Sequence, residues 1–142
     1  MTTQAAPTQR AAQMRAAVIA APGRAELLHR PIPEPGPGEV RIRLEGSGVC
    51  GSNLPSWEGR EWFKYPLEAG SPGHEGWGVV ELLGDGVTGL RVGDRVATLS
   101  GRAFAEYCVV PAVETVKLPE ALAGQPVPGE PLGCAMNIFR RS

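Results

Sequence analysis

Residues 36–53 read GPGEVRIRLEGSGVCGSN and contain the pattern that decides the fold. Val40, Ile42 and Leu44 alternate with charged residues, and a period of two indicates a strand with one buried face. Turn-forming glycines lie on both sides of this stretch and bound it. We therefore predict a half-buried β-strand that leads directly into the segment beginning at Cys50.

Short apolar stretches separated by turn residues continue along the chain. Further strands are predicted over residues 15–20, 25–28, 76–83, 95–99, 104–110 and 115–118. Residues 130–141 have helical spacing, and residues 50–58 favour a helical turn with Ser52 or Asn53 as N-cap. Many short strands joined by turns are typical of a barrel or a partly open sandwich, so the sequence predicts a mainly β fold.

Composition excludes several classes of function. The chain has 142 residues, which suits one domain, with 14 basic and 15 acidic residues. This balance argues against binding to nucleic acid or to an anionic membrane, and no apolar run is long enough to span a bilayer. The three cysteines are widely spaced and no signal peptide is recognisable. We expect a cytoplasmic protein whose cysteines are thiols or metal ligands.

Two residues of metal-binding type follow predicted strands or turns. Cys50 lies after the end of one strand and His74 lies just before another. Cysteine sulfur, histidine nitrogen and carboxylate oxygen are the ligands that zinc prefers, and a catalytic zinc site uses three of them. Taken alone the pair is weak, since a lone cysteine is usually a small buried hydrophobe and a lone histidine is usually structural.

Four stretches, taken in order, resemble the medium-chain dehydrogenase/reductase superfamily and its zinc-dependent alcohol dehydrogenases. They are residues 36–53, 72–96 (PGHEGWGVVELLGDGVTGLRVGDRV), 103–112 (AFAEYCVVPA) and 129–135 (GEPLGCA). The resemblance implies a GroES-like, partly open β barrel with a few short helices, which in that family precedes a Rossmann domain. It extends from about Met14 to the end of the chain.

This resemblance also implies a division of the chain. Residues 1–13 are expected to form a flexible N-terminal tail and residues 14–129 the GroES-like catalytic domain. Residues 130–142 would begin a linker helix toward a nucleotide-binding domain that these 142 residues do not include. We expect no nucleotide-phosphate loop in the chain itself, so NAD or NADP would bind only through that other domain.

The resemblance assigns a role to each matching residue. Cys50 and His74 match the thiolate and imidazole ligands of one catalytic zinc. Glu75 matches an adjacent acid that ligates zinc in polyol-dehydrogenase-like members and lies behind it in others. Ser52 matches a catalytic hydroxyl that relays the substrate proton. The relay serine is commonly followed by aspartate in the family, whereas here it is followed by the neutral Asn53.

Two residues near the end of the chain are candidates for a further zinc ligand. Glu130 matches a glutamate of polyol-type enzymes, and Cys134 matches the second thiolate of alcohol-dehydrogenase-type enzymes. They are four residues apart on a predicted helix and so share one face. The choice among Glu75, Glu130 and Cys134 stays open, with Cys134 preferred.

The sequence therefore predicts the zinc-binding part of an NAD(P)-dependent oxidoreductase that acts on a small alcohol or carbonyl compound. Two alternatives are a stand-alone GroES-like interaction or assembly module and a vestigial zinc-binding module. A pure assembly barrel has no need of Cys50, Ser52 and His74 in these contexts. The apolar side of residues 130–141 would lack its natural partner, so we expect a homo-oligomer or other self-association.

Overall fold

The computed structural model describes residues 12–142, and these residues form a mainly β fold. In chain order the elements are β1 (Gln13–Ala21), β2 (Arg24–Pro31), β3 (Glu39–Gly48), α1 (Leu54–Glu58), β4 (Glu75–Leu83), β5 (Arg95–Thr98), β6 (Tyr107–Pro111), β7 (Thr115–Lys117) and α2 (Gly129–Arg141). The predicted fold class is confirmed. None of the helices described in residues 12–142 is long and apolar enough to cross a membrane.

Five strands form one antiparallel sheet in the order β6-β3-β4-β5-β7. Its buried face holds the hydrophobic core, made of Val40, Ile42, Val80, Val96, Cys108 and Val110. Val40 and Ile42 are fully buried while Arg43 is exposed, which confirms the predicted alternation in β3. Burial of this apolar face is the main driving force for the sheet.

Strands β1 and β2 form a separate hairpin that the segment before β6 attaches to the large sheet. The amide of Ala17 donates to the carbonyl of Phe104 at 2.8 Å, and the amide of Glu106 donates to the carbonyl of Arg15 at 3.0 Å. The strand predicted over residues 104–110 is therefore divided. Residues 104–106 bond to β1, although the Glu106 carbonyl also accepts from the amide of Leu44 in β3 at 2.9 Å, and the regular pairing with the large sheet begins at β6. The result is a partly open barrel made of two sheets.

The helices agree with the prediction in place but not in every detail. Helix α2 confirms the helix predicted over residues 130–141, and residues 50–58 form a 3₁₀ turn (Gly51–Asn53) followed by α1. Asn53 occupies the N-cap position of α1 without a side-chain cap bond, because its amide bonds elsewhere. The predicted tail lies mostly outside the described residues, although Gln13 belongs to β1. The division into domains stays a prediction.

Arg95 in β5 connects the large sheet to the segment that precedes α2. Its side chain is 17 % exposed and donates to the Glu45 carboxylate at 2.7 Å and to the Leu122 carbonyl at 2.6 Å. A further donor reaches the carbonyl of Gln125. A guanidinium suits this position because it offers five donors in a fixed plane. One side chain thereby fixes the path of the chain toward α2.

We expect Arg95→Ala to lower the free energy of unfolding by about 2 kcal/mol, because it removes charge-assisted bonds and leaves acceptors unpaired. Urea titration followed by circular dichroism measures the change. Arg102→Ala is the matched control, since its pair with Glu68 is exposed on both sides, at 62 % and 70 %. Such pairs contribute less than about 1 kcal/mol. Equal losses in the two variants would contradict the role given to Arg95.

Candidate functional site

The register of β3 against β4 brings two chemically active segments together. Gly48 at the end of β3 lies opposite Glu75 at the start of β4. Cys50 is two residues beyond Gly48, and His74 is one residue before Glu75. Antiparallel pairing therefore places the last residues of β3 beside the first residues of β4, at one end of these two strands.

Cys50, His74 and Glu75 form one cluster at this end of the sheet, with one ligand atom from each lying within 4.8 Å of the others. Glu75 is buried, while Cys50 and His74 are partly exposed. The three donors are of the kinds that zinc prefers, and the cluster fits that metal.

Gly48 makes the space that the Glu75 carboxylate occupies. A Cβ atom at Gly48 would lie 1.8 Å from Oε2 of Glu75. No real Cβ atom approaches so closely, so any other residue at this position would displace the carboxylate. The glycine at the end of β3 thus determines the position of a candidate ligand on the neighbouring strand.

The two ring nitrogens of His74 have different surroundings. Nδ1 lies 2.9 Å from the carbonyl oxygen of Pro72, and Nε2 lies 3.4 Å from Oγ of Ser52. A carbonyl oxygen only accepts, so Nδ1 carries the proton and Nε2 has a free lone pair. Nε2 is therefore the nitrogen available to a metal or to the Ser52 hydroxyl.

The surroundings of the cluster shift the pKa of its thiol and the pKa of its imidazole in opposite directions. Hydrogen bonds with Ser52, and then with His74, lower the pKa of Cys50. Burial opposes charge on His74, but the Pro72 carbonyl and Cys50 outweigh burial, so the pKa of His74 is raised. A thiol with a lowered pKa supplies the thiolate that metal binding requires.

Glu130 and Cys134 lie outside the cluster of three and bond to each other. The Cys134 thiol donates to Oε1 of Glu130 at 2.9 Å across one turn of α2. This bond raises the pKa of Cys134, and the Glu130 charge also contributes to the raised pKa of His74. Neither residue belongs to the cluster of three, and their part as zinc ligands stays a prediction.

The remaining cysteine is part of the core. Cys108 lies in β6 and is 2 % exposed, and burial raises its pKa to about 11. A buried thiol with so high a pKa is unreactive and a poor ligand. Cys108 is therefore a structural residue of the core.

Two stretches have the letter pattern G-x-G-x-x-G of dinucleotide-binding loops: residues 46–51 (GSGVCG) and 84–89 (GDGVTG). In such loops the pattern joins a strand to a helix inside a parallel βαβ unit. Here β3 and β4 are antiparallel around the first stretch, and β4 and β5 are antiparallel around the second. The first stretch is the end of β3 with the start of the 3₁₀ turn, and the second is the connection between β4 and β5, so neither has the geometry of a phosphate loop.

Three features of the site were not predicted from the sequence. The Pro72 carbonyl is a main-chain group, and its orientation has no counterpart in residue type. Gly48 resembled an ordinary turn glycine. The place of Asn53 between two loops depends on contacts 19 and 21 residues away in the sequence.

The comparisons with known proteins agree on one family. The sequence profile of the alcohol dehydrogenase GroES-like domain matches residues 36–120. Starvation-sensing protein RspB of Escherichia coli K12 is 35 % identical, over 88 % of this chain and 45 % of its own length. Human sorbitol dehydrogenase is 42 % identical, over 64 % of this chain and 26 % of its own length.

Solved structures give the same result. The alcohol dehydrogenase rspB from E. coli CFT073, complexed with NADH, aligns with a TM-score of 0.67 and 33 % identity over 80 % of this chain and 40 % of its own. A cobalt- and zinc-bound thermostable alcohol dehydrogenase from Pyrobaculum aerophilum aligns with a TM-score of 0.64 and 30 % identity over 75 % of this chain and 41 % of its own.

The chain thus spans less than half the length of these relatives, which include alcohol and sorbitol dehydrogenases. The family profile covers more than half of the chain, and the fold is the one that the resemblance implied. The chain belongs to the alcohol dehydrogenase GroES-like domain family, within the medium-chain dehydrogenase/reductase superfamily of oxidoreductases.

Proposed function

We propose that this chain is the zinc-binding catalytic domain of an NAD(P)-dependent alcohol or polyol oxidoreductase. The observation that carries the proposal is the cluster of Cys50, His74 and Glu75, with ligand atoms within 4.8 Å of one another. The names of the relatives support it: sorbitol dehydrogenase among the curated proteins, and a cobalt- and zinc-bound alcohol dehydrogenase among the structures. An assembly module would not need this cluster.

The residues present fit one zinc ion. Cys50 would supply a thiolate, His74 its Nε2 atom and Glu75 a carboxylate oxygen. The distances favour Glu75 over Cys134 as the third ligand, in contrast to the preference drawn from the sequence. Glu130 and Cys134 remain candidates for a further ligand because they lie nearby on α2. When bound, zinc would act as a Lewis acid toward an alcohol or carbonyl oxygen.

Ser52 is the candidate for proton transfer. Its hydroxyl lies beside the cluster, 3.4 Å from Nε2 of His74, and a hydroxyl both donates and accepts. In the proposed reaction Ser52 accepts the proton that an alcohol substrate loses and passes it toward solvent.

The first test is the zinc content of purified variants, measured by elemental analysis. We expect at most one zinc per chain, and loss of that zinc in Cys50→Ala and His74→Ala because each removes a ligand. Comparison of Glu75→Ala, Glu130→Ala and Cys134→Ala identifies the remaining ligand. Cys108→Ala is the matched control and should keep its metal. Two tightly held zinc ions per chain, or normal zinc content in Cys50→Ala, would contradict the proposal.

The nicotinamide cofactor would be held by a nucleotide-binding domain other than these 142 residues. Every strand pairing described in residues 12–142 is antiparallel, whereas dinucleotide sites are built on parallel βαβ units. Correct placement of reactants contributes roughly 7–11 kcal/mol toward lowering a barrier. For a cofactor that diffuses freely past the site, most of this lowering of the barrier would be lost.

Isothermal titration of this chain with NAD and NADP should therefore show no micromolar binding, and turnover of alcohols should be undetectable. Fusion of a matched nucleotide-binding domain after Ser142 should restore both. The matched comparison is the same fusion carrying Cys50→Ala, which should bind the cofactor without turnover. Steady turnover by the 142-residue chain alone would refute this assignment.

We also propose that the chain associates with itself through an exposed apolar face of α2. Leu132, Met136 and Phe139 are all more than half exposed. An exposed apolar patch of this kind favours association between chains. Light scattering after size exclusion should show dimers or larger species, and Phe139→Glu should shift the chain toward monomer. A monomer at all concentrations would exclude self-association through this face.

A further inference from the structure

Helix α2 begins on the face of the large sheet that carries Glu75. Trp77 in β4 pairs directly with Ala97 in β5, and Glu75 lies two residues before Trp77 on the same strand. Residues two apart on a strand, and residues directly opposite on neighbouring strands, point to the same face. Gly129, the first residue of α2, lies against Ala97 on that face. The helix therefore starts beside the end of β4 that holds Glu75.

The contact between Gly129 and Ala97 leaves no room for a side chain on the helix. A Cβ atom at Gly129 would lie 2.7 Å from the Cβ atom of Ala97. Carbon atoms in contact are ordinarily about 3.5–4.0 Å apart, so the shortfall is roughly 1 Å. Ala97 is 4 % exposed and belongs to a strand that is paired on both sides, so its Cβ atom cannot move away. An added methyl group would displace α2 instead.

Two further contacts hold the chain on the sheet just before α2 begins. Val127 is buried at 7 % exposure. Arg95 in β5 donates to the carbonyls of Leu122 and Gln125. The path into the helix is thus fixed on β5, and the close contact of Gly129 determines how near the helix lies to the sheet.

Glu130 and Cys134 belong to the part of α2 that this contact places. Glu130 directly follows Gly129, and Cys134 lies one helical turn further and donates to the Glu130 carboxylate at 2.9 Å. Helix α2 contacts β4 as well as β5. Displacement of the start of the helix by about 1 Å would therefore move both side chains relative to Glu75. Metal–ligand distances are held to within about 0.2 Å, so such a movement decides whether a side chain can bind.

We propose that Gly129 is a positioning residue for the metal site, a role that rests on the function proposed above. Because Gly129 has no side chain, α2 rests directly on Ala97, and this contact sets the distance of the two candidate ligands of α2 from the cluster. The zinc affinity of the site then depends on a residue that does not itself reach the metal. Alanine is a strong helix former, so the effect of alanine at position 129 would come from the collision with Ala97.

The first experiment tests the geometry by crystallography of the metal-free chain. We expect α2 in Gly129→Ala to lie about 1 Å further from β5 than in the native chain. Apart from the adjoining backbone, Cβ of Ala97 is the only atom of the described residues within 4 Å of the added methyl group. Ala97→Gly removes that atom, so the double variant Gly129→Ala, Ala97→Gly should return the helix to its native position.

Gly133→Ala is the matched control for this experiment. It adds the same methyl group to the same helix, at a position where a Cβ atom meets none of the described atoms within 4 Å. Both substitutions also replace glycine by a better helix former. We therefore expect Gly133→Ala to leave the position of α2 unchanged.

The second experiment measures zinc affinity by competition with a chelating dye. Mutation of residues that orient metal ligands typically weakens binding about 10–100-fold, and we expect a loss of this size in Gly129→Ala. The double variant with Ala97→Gly should recover most of the loss, and Gly133→Ala should keep native affinity. In a chain that carries Glu130→Ala and Cys134→Ala, Gly129→Ala should cause no further loss. General destabilisation of the domain would instead lower the affinity in both backgrounds.

The outcomes separate the two proposals. A native chain that binds no zinc, together with a displaced α2 in Gly129→Ala, would remove the proposed function and leave the contact with Ala97 as the determinant of the helix position. An unmoved helix in Gly129→Ala, or native zinc affinity despite a displaced helix, would overturn the positioning role even if zinc binds. An equal loss of affinity in the chain that lacks the Glu130 and Cys134 side chains would also overturn it, because the effect would not pass through them.

Discussion

The antiparallel pairing of β3 with β4 is the constraint on which the candidate site depends. The register shifts at two bulges: Glu81 is the extra residue on β4, opposite the step from Arg41 to Ile42, and Glu45 is the extra residue on β3, between Leu44 and Gly46. The second bulge includes Gly46, where a Cβ atom would lie 2.3 Å from the Trp77 ring. The glycine lets the ring cover the strand, and the bend carries the last residues of β3 toward the start of β4.

Most of the fold could be predicted from the sequence because its signals are local. The alternation of apolar and charged residues in β3 follows from a sheet with one buried face, and turn glycines mark the ends of β4. Residues 104–106 could not be assigned correctly, because their partners in β1 are nearly 90 residues away. Their apolar and β-branched neighbours favour a strand, but only the tertiary fold decides with which strand they pair.

For the candidate site, residue types were easier to predict than geometry. Cys50, His74 and Glu75 have side chains that bind metals, and the sequence places Cys50 and His74 beside the ends of predicted strands. The sequence gives the four-residue spacing of Glu130 and Cys134 but not the distance from α2 to the cluster, which depends on how the helix packs. The bonds of Asn53 depend equally on two loops meeting, and no pattern in either loop encodes that contact.

The Pro72 carbonyl has a consequence for how such a site could change over time. Its oxygen belongs to the main chain, so a substitution does not remove this acceptor, whereas a substitution of Asn53 removes the side-chain amide. An insertion or deletion in the loop between α1 and β4 would move it at once, together with the imidazole that it orients.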